Sequence, residues 1–533
     1  MPASPALSAR SYNSVLDFKS VPSKGGWIVQ KFGGTSVGKF PNKIVDDIIK
    51  AFSANNRVAV VCSARSSQTK NEGTTSRLLR AADLASENKD FDALLDIIEE
   101  DHVNNAKTFV TNDIKVQEQL IQDSKNELDH ARELLKACQI IGEISPRSLD
   151  SIMSIGEKLS CLFIAALMQD HGLKSKYIDL SDIIPLNYDF SRGFDDNFYK
   201  FLSQHFGSQV LQLDDDVVPV LTGYFGVVPG GLLNGVGRGY TDLCAALVAV
   251  GVQADELQVW KEVDGIFTAD PRKVPNARLL DSVTPEEAAE LTYYGSEVIH
   301  PFTMEQVIKA RIPIRIKNVE NPQGKGTIIY PDNIGRRGED TPPHPPAAYE
   351  TLSPNYITSH KKRSATAITA KQDIVVINIH SNKKTLSHGF LAHIFTTLDL
   401  FKLVVDLIST SEVHVSMALQ ISSDQESALR SAVKELRKIG TVDITRNMTI
   451  ISLVGKQMVN FIGIAGNMFK VLADEKINIE MISQGANEIN ISAVIDDNDT
   501  IRALCSIHAR LLEGNYDALS NAVDSRLEAL RLS

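Results

Sequence analysis

Short apolar, β-branched runs alternate with longer helical stretches over residues 27–330, and this alternation restricts the fold more than any other feature of the chain. The runs at 27–30, 58–61 and 217–221 predict buried strands. Strands that alternate with helices typically form a parallel sheet with helices on both faces. We therefore predict an α/β domain with a mostly parallel sheet between helices.

Two segments of this region need their own interpretation. The run at 312–316 contains Pro313, which cannot donate a hydrogen bond to a neighbouring strand, so we expect an edge strand there. Residues 90–139 are charged, rich in leucine and free of glycine and proline. This pattern predicts a helical hairpin inserted into the α/β domain.

The C-terminal part of the chain contains an internal repeat. Residues 389–409 match 463–483 at a separation of 74 positions, and 412–416 match 488–492 at a separation of 76. Each copy predicts the order strand, glycine turn, helix, strand, hairpin and strand. We therefore expect two small α+β domains, whose sheet edges can pair across a homodimer.

Composition marks the boundaries between these parts. The first 24 residues are rich in Ser, Ala and Pro, and the proline-rich run at 340–346 can be neither helix nor inner strand. The predicted organisation is a flexible tail at 1–24, an α/β domain at 25–332, a linker at 333–366, two repeat domains at 367–445 and 446–520, and a C-terminal helix or tail at 521–533.

Charge and cysteine usage narrow the function classes. The 533 residues carry a formal net charge of −11, so the chain lacks the broad positive field that generic nucleic-acid binding needs. No run of about eighteen apolar residues occurs, and we expect no membrane-spanning segment. The five cysteines form neither a disulfide framework nor a zinc motif, and no secretory signal is present at the start. These observations predict a cytoplasmic protein.

A glycine-rich loop follows the first predicted strand. Residues 31–36 read Lys-Phe-Gly-Gly-Thr-Ser. Paired glycines let the backbone approach an anion, and N–H groups at a helix start can hold phosphate oxygens. Lys31 adds a mobile positive charge. The loop predicts a phosphate site, and a plain strand-to-helix turn with a solvated lysine is the alternative.

A second glycine-rich segment spans 223–239 and places Arg238 between two glycines. Flanking glycines leave a guanidinium free to bind a carboxylate or a phosphate through two hydrogen bonds. We therefore favour an anion-binding role for Arg238 over that of a surface arginine. Thr241 and Asp242 precede an apolar helical run, and capping of that helix is the structural interpretation of both.

Two further segments carry charged residues near predicted strand or helix ends. Residues 260–272 follow an apolar strand, at the end where open α/β sheets bind nucleotides. An ordinary acidic turn explains their composition equally well. Glu157 lies in the segment 154–160 and is either a solvated acid at a helix start or a partner for an ammonium group.

Four segments taken together resemble the signature loops of the aspartate kinases, which have the amino-acid kinase fold. They occur in the order 31–36, 156–160, 237–242 and 262–272. The two C-terminal copies resemble ACT domains, the amino-acid-sensing modules of these kinases. The resemblance covers residues 27–510. The length, the insertion at 90–139 and the long linker make it greatest to the monofunctional fungal type.

The resemblance implies ATP-dependent phosphorylation of the β-carboxylate of L-aspartate with Mg²⁺, the first step toward threonine and methionine. It implies catalytic roles for Lys31 and Asp242. It implies that aspartate is bound by Ser63, Thr75, Glu157 and Arg238. It implies that the nucleotide is bound by Gly33, Gly34, Ser36, Lys261, Glu262, Phe267 and Arg272.

The resemblance also implies feedback inhibition by threonine at the ACT domains of a homodimer or higher homo-oligomer. The matching regulatory positions are Gly389, Phe390, Leu391, Asp406, Ser411, Gln484 and Asn487. Asp406 and the turn at Gly389 would hold the ammonium and carboxylate groups of the effector. A loop acid at a strand end is the structural alternative for Asp406.

Two other functions remain open at this point. One is a related kinase of the same fold, acting on glutamate, N-acetylglutamate, carbamate or a nucleotide. The other is a non-catalytic amino-acid sensor. Arg238 together with Glu157 favours a free amino acid as substrate, and the presence of Lys31 and Asp242 argues against a sensor that has lost catalysis.

Overall fold

The computed structural model describes residues 25–66, 73–185, 187–236, 239–293, 301–330, 365–381, 389–411, 414–422, 425–460, 462–484 and 489–513. The predicted tail, most of the predicted linker and the predicted C-terminal segment lie outside these residues. Arg238 and Asn487 lie outside them as well.

The N-terminal α/β domain contains eight strands and the helices that cover them. The strands are β1 (Gly25–Phe32), β2 (Asn56–Cys62), β3 (Ser175–Ile178), β4 (Val218–Thr222), β5 (Glu256–Lys261), β6 (Ser282–Val283), β7 (Ile314–Asn318) and β8 (Thr327–Ile329). The helices are α1 (Gly34–Lys39), α2 (Lys50–Ser53, after a π-helical stretch at Lys43–Ile49), α3 (Thr74–Ser86), α4 (Asp92–Phe109), α5 (Ile114–Ile141), α6 (Pro146–Asp170), α7 (Asp196–Leu211), α8 (Leu232–Gly235), α9 (Tyr240–Gly251), α10 (Pro285–Tyr293) and α11 (Pro301–Lys309).

These strands form one sheet in the order β3-β4-β2-β1-β5-β7-β8-β6, and within the described part of this sheet only β7 and β8 pair antiparallel. The mostly parallel sheet and the strands predicted at 27–30, 58–61 and 217–221 are confirmed. The edge position predicted for 312–316 is wrong, because β7 lies between β5 and β8. Pro313 precedes the first residue of β7, so its missing N–H costs no ladder bond, and its carbonyl accepts from Leu257 N at 3.0 Å.

The predicted helical hairpin is confirmed as α4 and α5, which pack against α3 and α6 around a common core. The turn between α4 and α5 is fixed by Asp170 at the end of α6. Its carboxylate accepts the backbone N–H groups of Thr111, Asn112 and Asp113 at 2.7–3.1 Å. By length and composition, helix α6 is long and apolar enough to cross a membrane. However, 83% of its apolar 18-residue stretch is buried inside the protein. It is a core helix.

The C-terminal part forms a second sheet in the order β10-β11-β9-β12-β14-β13. Its strands are β9 (Ala367–Ser381), β10 (Leu407–Thr410), β11 (His414–Gln420), β12 (Gly440–Val454), β13 (Met481–Ser483) and β14 (Asn490–Asp496). Its helices are α12 (Phe390–Leu400), α13 (Glu426–Leu436), α14 (Ile464–Asp474) and α15 (Thr500–Ile507).

The repeat inferred from the sequence has the same backbone geometry in both copies. Helices α12 and α14 have equal lengths, and each begins after a left-handed glycine, Gly389 with φ 85° and Gly463 with φ 86°. Lys402 and Lys476, which are also 74 positions apart, have φ values of 53° and 57°. The matching left-handed residues confirm that the two copies share one fold.

The two repeat units are not separate along the chain, because β9 and β12 each run through both of them. The first part of β9 pairs with 450–454 of β12, and its second part pairs with 440–445. Accordingly, Ile368 packs in the core of the second unit and Ile377 in the core of the first. Both long strands bend at a left-handed residue, Asp373 in β9 and Asn447 in β12. The sequence repeat alone does not show this sharing of strands.

Candidate active site

The loops singled out in the sequence meet at one edge of the α/β sheet. Strands β1, β2, β4 and β5 are parallel neighbours, and Phe32 of β1 pairs in register with Cys62 of β2 and with Trp260 of β5. Their carboxyl ends therefore lie side by side, which is where α/β sheets bind ligands.

Lys31 forms an ion pair with Asp242 at this edge. Lys31 is the next-to-last residue of β1, and Asp242 lies in the first turn of α9. The distance from Lys31 Nζ to Asp242 Oδ1 is 2.7 Å, and the two side chains are only 11% and 14% exposed. The ion pair thus holds a largely buried ammonium group beside a helix N-terminus, where two sources of positive potential add.

The glycine loop brings its backbone close to the loop that follows β2. A Cβ atom on Gly34 would lie 1.9 Å from Ala64 O, so no other residue fits at this position without a shift of the backbone. Ser66 N donates to Gly34 O at 3.0 Å. Gly33 has open space around its Cα and no side chain caps α1, so the N–H groups at the start of α1 are accessible to an anion.

Ser36 ties this loop to the end of β5. Its fully buried hydroxyl donates to Glu262 Oε1 at 2.7 Å. Lys261 is the last residue of β5, directly before Glu262. The structure therefore brings together predicted nucleotide residues from two loops that are more than 200 positions apart.

Glu157 is a buried carboxylate of α6 with one oxygen left over. Thr241 Oγ1 donates to Oε1 at 2.8 Å, whereas Oε2 is buried without a well-placed hydrogen-bond donor among the described residues. Burial raises the pKa of Glu157 to about 7, against the lowering effects of hydrogen bonds from Thr241 and Tyr240, of the charge of Lys31 and of the backbone of Tyr224. A Cβ on Gly223 would lie 2.9 Å from Oε2 and closer still to Thr241, so a larger residue at this position would crowd the carboxylate.

The remaining residues predicted to bind aspartate are only partly described. Ser63 follows β2, and its N–H donates to Phe32 O at 3.1 Å, which places it next to the glycine loop. Thr75 is the second residue of α3. Since Arg238 lies outside the described residues, its role stays a prediction.

Arg272, in the loop after β5, contacts Asp270 and none of the other predicted nucleotide residues among the contacts that the structure describes. The side chain of Arg272 is 88% exposed and pairs with Asp270 through two hydrogen bonds of 3.0 Å. Phe267 forms a backbone bridge with Leu279 on the returning arm of the same loop. The described contacts thus explain Arg272 as a partner of Asp270, and a nucleotide contact would require it to leave that pair.

This loop also packs against the second repeat unit. Thr268 Oγ1 lies 2.8 Å from His508 Nε2, and Arg278 donates to Leu512 O at 2.6 Å. Glu287 of α10 accepts from Thr366 Oγ1 at 2.7 Å and from Lys456 N at 2.9 Å. The segment that follows β5 therefore belongs to the α/β domain and forms part of its contact with the second repeat unit.

The predicted regulatory residues lie at the edges of the second sheet. Gly389 precedes α12, whose first turn has no side-chain cap, and Leu391 is 43% exposed. Strands β10 and β13 are the two outer strands of this sheet and contact each other. Ser411 follows β10, and Gln484 follows β13. Phe390 packs partly against the core of the first unit.

Asp406 has protein partners on both carboxylate oxygens. Lys371 Nζ lies 2.6 Å from Oδ1, and Gln420 N donates to Oδ2 at 2.8 Å. The side chain is only 4% exposed. This arrangement favours the structural interpretation of Asp406, because an effector ammonium group would have to compete with Lys371.

Sequence reasoning missed Asp150, which organises the second glycine-rich segment. Asp150 lies two helical turns before Glu157 on α6, and its carboxylate accepts the N–H groups of Leu232 and Leu233 at the start of α8. The signal that the sequence offered was its spacing, because an acid seven positions before Glu157 lies on the same face of a helix. Asp150 thereby fixes the segment that leads to Arg238.

Comparison with known proteins agrees with this geometry. Residues 26–318 match the amino acid kinase family and residues 451–511 match an ACT domain. The aspartokinase of Candida albicans is 76% identical, with 100% of both chains covered. The aspartokinase of Saccharomyces cerevisiae is 62% identical, with 97% of this chain and 99% of the relative covered.

Solved structures show the same fold. Escherichia coli aspartokinase III in complex with lysine and aspartate superimposes with a TM-score of 0.70 at 25% identity, covering 91% of this chain and 99% of that one. The aspartate kinase of Clostridium acetobutylicum gives a TM-score of 0.70 at 23% identity, covering 91% and 100%. The chain therefore belongs to the aspartate kinase family, as an enzyme that joins an amino-acid kinase domain to ACT domains.

Proposed function

We propose that this enzyme transfers the γ-phosphoryl group of ATP to the β-carboxylate of L-aspartate, as the first step toward threonine and methionine. The observation that carries the proposal is the buried Lys31–Asp242 ion pair beside the accessible glycine loop, close enough to Glu157 for Lys31 to lower its pKa. A cation, a phosphate loop and an ammonium acceptor thus occupy one edge of the sheet.

The chemistry requires electrostatic stabilisation rather than proton removal. The aspartate β-carboxylate is already ionised at pH 7, so the reaction needs no general base. A carboxylate oxygen forms a bond to the γ-phosphorus as the bond to the leaving ADP oxygen breaks. The barrier comes from two anions approaching each other, and Lys31 with the N–H groups of the glycine loop counters that repulsion.

Glu157 is suited to the ammonium group of a free amino acid. Its Oε2 is buried and lacks a well-placed donor, and an ammonium group supplies both the missing hydrogen bond and the opposite charge. Ser63 and Thr75 would complete the pocket, and Arg238 would bind the α-carboxylate. This assignment favours aspartate over substrates that lack an amino group.

Mg²⁺ fits this site through the nucleotide. The described residues contain no cluster of three or more His, Cys, Asp or Glu side chains, so the ion would be held mainly by phosphate oxygens and water. When bound, it neutralises charge on the phosphoryl group. Ser36 and Glu262 would position the phosphate side of the nucleotide.

A turnover assay with matched substrates tests the proposal. We expect Mg²⁺-ATP turnover with L-aspartate, measured as acyl hydroxamate, and little with N-acetyl-L-aspartate, which lacks the ammonium group. Preferred turnover of L-glutamate would support the related-kinase alternative. A folded chain that binds ATP but turns over neither amino acid would contradict the proposal and favour the sensor.

Threonine inhibition is the proposed regulation. The uncapped first turns of α12 and α14 offer N–H groups to an amino-acid carboxylate, and the segment after β5 contacts the second repeat unit through Thr268. Effector binding requires a coupling free energy of about 1–3 kcal/mol to change activity substantially. L-threonine should lower turnover where D-threonine does not, and binding of L-threonine without any change in kcat or KM would refute it.

The proposed oligomer is a homodimer or larger assembly through the first repeat unit. Leu391 and Phe395 lie one turn apart on α12 and are 43% and 41% exposed, and Leu400 and Val404 are 73% and 70% exposed. Adjacent exposed apolar side chains of this size are typical of an interface. We propose a cytoplasmic location, which the five free cysteines support because thiols persist in a reducing compartment.

A further inference from the structure

A cavity of about 600 Å³ lies on the α/β sheet, where Ile28 of β1, Gln258 of β5 and Lys317 of β7 line it. None of the residues predicted to bind aspartate or the nucleotide lines this cavity, so the two sites are distinct. The volume is in the range of about 300–1,000 Å³ that small-molecule sites occupy. Ile28, Phe52 and Ile328 form apolar parts of its wall.

Lys317 of β7 lines this cavity and is an unusual cation. Only 8% of the residue is exposed. Its Nζ lies 5.0 Å from the ring centre of Trp260 and 5.5 Å from that of Phe52. Among the residues that the structure describes, no carboxylate pairs with it. Two aromatic faces therefore stabilise a buried ammonium group that has no anionic partner.

The nearby acid does not serve as that partner. Glu256 Oε2 accepts from Arg315 Nε and lies equally close to Nη2, at 2.8 Å each, and Oε1 accepts from Gln258 at 2.8 Å. Burial and the charge of Arg315 lower the pKa of Lys317, whereas Glu256 raises it. Asp255 also lines the cavity, so two acids, Asp255 and Glu256, and three bases, Arg315, Lys317 and Lys325, line it together.

We propose that this cavity binds a small organic carboxylate, whose anionic head pairs with Lys317 while its apolar body contacts Ile28, Phe52 and Ile328. Lys325 also lines the cavity and adds positive charge. Pairing with an anion supplies the partner that a buried ammonium group otherwise lacks. Neutral ligands of the same shape lose this interaction.

Tryptophan fluorescence provides a direct test, because the chain contains only two tryptophans. In a Trp27→Phe background, Trp260 is the remaining one, and its ring lies against the Lys317 ammonium group. Titration with hexanoate should give a saturable signal change. Hexan-1-ol, the matched neutral compound, should bind at least tenfold more weakly, and equal binding of the two would overturn the proposal.

Two variants assign the signal to Lys317. Lys317→Met should weaken hexanoate at least tenfold, while Lys317→Arg should retain most of the affinity. Lys136→Met removes the same charge from an exposed position of α5 and should leave the affinity unchanged. An unchanged hexanoate affinity in folded Lys317→Met would refute the site.

A further variant, Lys31→Met, separates this proposal from the proposed catalytic function. Hexanoate binding should persist in Lys31→Met, because Lys31 does not line this cavity. Loss of binding in Lys31→Met but not in Lys317→Met would show that the anion occupies the active site instead. The fluorescence measurement does not need turnover, so it stands even where the enzyme assay fails.

Discussion

Thr268 and His508 are 240 positions apart in the chain, and their side chains meet at 2.8 Å between Oγ1 and Nε2. Thr268 lies in the loop that carries the predicted nucleotide residues Phe267 and Arg272, and His508 belongs to the second ACT unit. Both side chains are buried. This contact directly joins the loop with the predicted nucleotide residues to the second ACT unit.

Removal of the Thr268 hydroxyl should weaken threonine inhibition. Thr268→Val leaves His508 Nε2 and Arg278 N without their partner, at a cost of about 1–3 kcal/mol. We expect the threonine concentration for half-inhibition to rise about fivefold or more, consistent with a loss of coupling. Thr108→Val, in the helical hairpin, is the control, and threonine should inhibit this variant as strongly as the parent enzyme. Unchanged inhibition in Thr268→Val would exclude this contact from the regulatory route.

Lys31→Ala should lower kcat about a hundredfold or more, because it removes the cation that faces the transferring phosphoryl group. The substitution also leaves the Asp242 carboxylate without its partner, so the melting temperature should fall, and thermal unfolding checks that the variant is still folded at the assay temperature. Lys39→Ala is the matched control, since Lys39 is an exposed lysine at the end of α1. Near-normal kcat in Lys31→Ala would remove Lys31 from the catalytic role.

The affinity for aspartate should depend on pH through Glu157. Burial holds its pKa at about 7 in the free enzyme, and only the ionised form attracts an ammonium group. We expect the KM for aspartate to rise as the pH falls below about 7, by up to about tenfold per unit. Glu157→Gln should show a higher KM that no longer depends on pH in this range. A parallel pH profile in both enzymes would contradict the assignment.

The same group should affect stability in the opposite sense. The pKa of Glu157 in the folded chain lies above its ordinary value of 4.5, so the protonated carboxyl stabilises the folded state at low pH. This contribution is lost as the pH rises through about 7. Urea unfolding of the ligand-free protein measures this change. From pH 5.5 to pH 8, the free energy of unfolding should decrease more for the parent chain than for Glu157→Gln, and equal decreases would contradict the assignment.

Two buried acids of α6 should have separable roles. Asp150→Ala frees the start of α8, and we expect a several-fold increase in the KM for aspartate with a smaller change in kcat. Asp170→Ala frees only the turn of the helical hairpin and should leave both constants unchanged. Each substitution removes backbone hydrogen bonds to a carboxylate, so each should cost about 2–4 kcal/mol of unfolding free energy. Equal KM values in the two variants would exclude a positioning role for Asp150.

The apolar face of α12 should control assembly. Phe395→Asp places a charge on that face and should shift the protein toward monomers in sedimentation velocity. Ile501→Asp is the matched control, because Ile501 is 58% exposed on α15 of the other repeat unit. An unchanged sedimentation coefficient for Phe395→Asp would place the interface elsewhere.

Local patterns predicted the strands and helices well, since apolar periodicity depends on residues that are close in the chain. The position of β7 within the sheet was predicted wrongly because it depends on where the backbone of Pro313 falls relative to the ladder. One residue decides that outcome, and composition does not report it. The helical hairpin was predictable because its polar and apolar faces are both encoded locally.

The site was predictable as a set of loops but not as a set of contacts. Lys31 and Asp242 were expected at one site, whereas their ion pair requires the register of β1 against β5 and the direction of α9. The pairing of Lys371 with Asp406 depends on a strand shared between repeat units. Asp150 and Thr268 act through backbone groups or a distant helix, and no short motif marks such roles.

The strands that the two ACT units share determine how these units can be exchanged by protein engineering. The chain cannot be cut at one point into two complete ACT units, because one half of β9 and of β12 belongs to each unit. The backbone amides in both halves of these strands should therefore be protected from hydrogen exchange to a similar degree. A chimaera that exchanges one sensor unit for a foreign one must replace both strands, and with them the other unit.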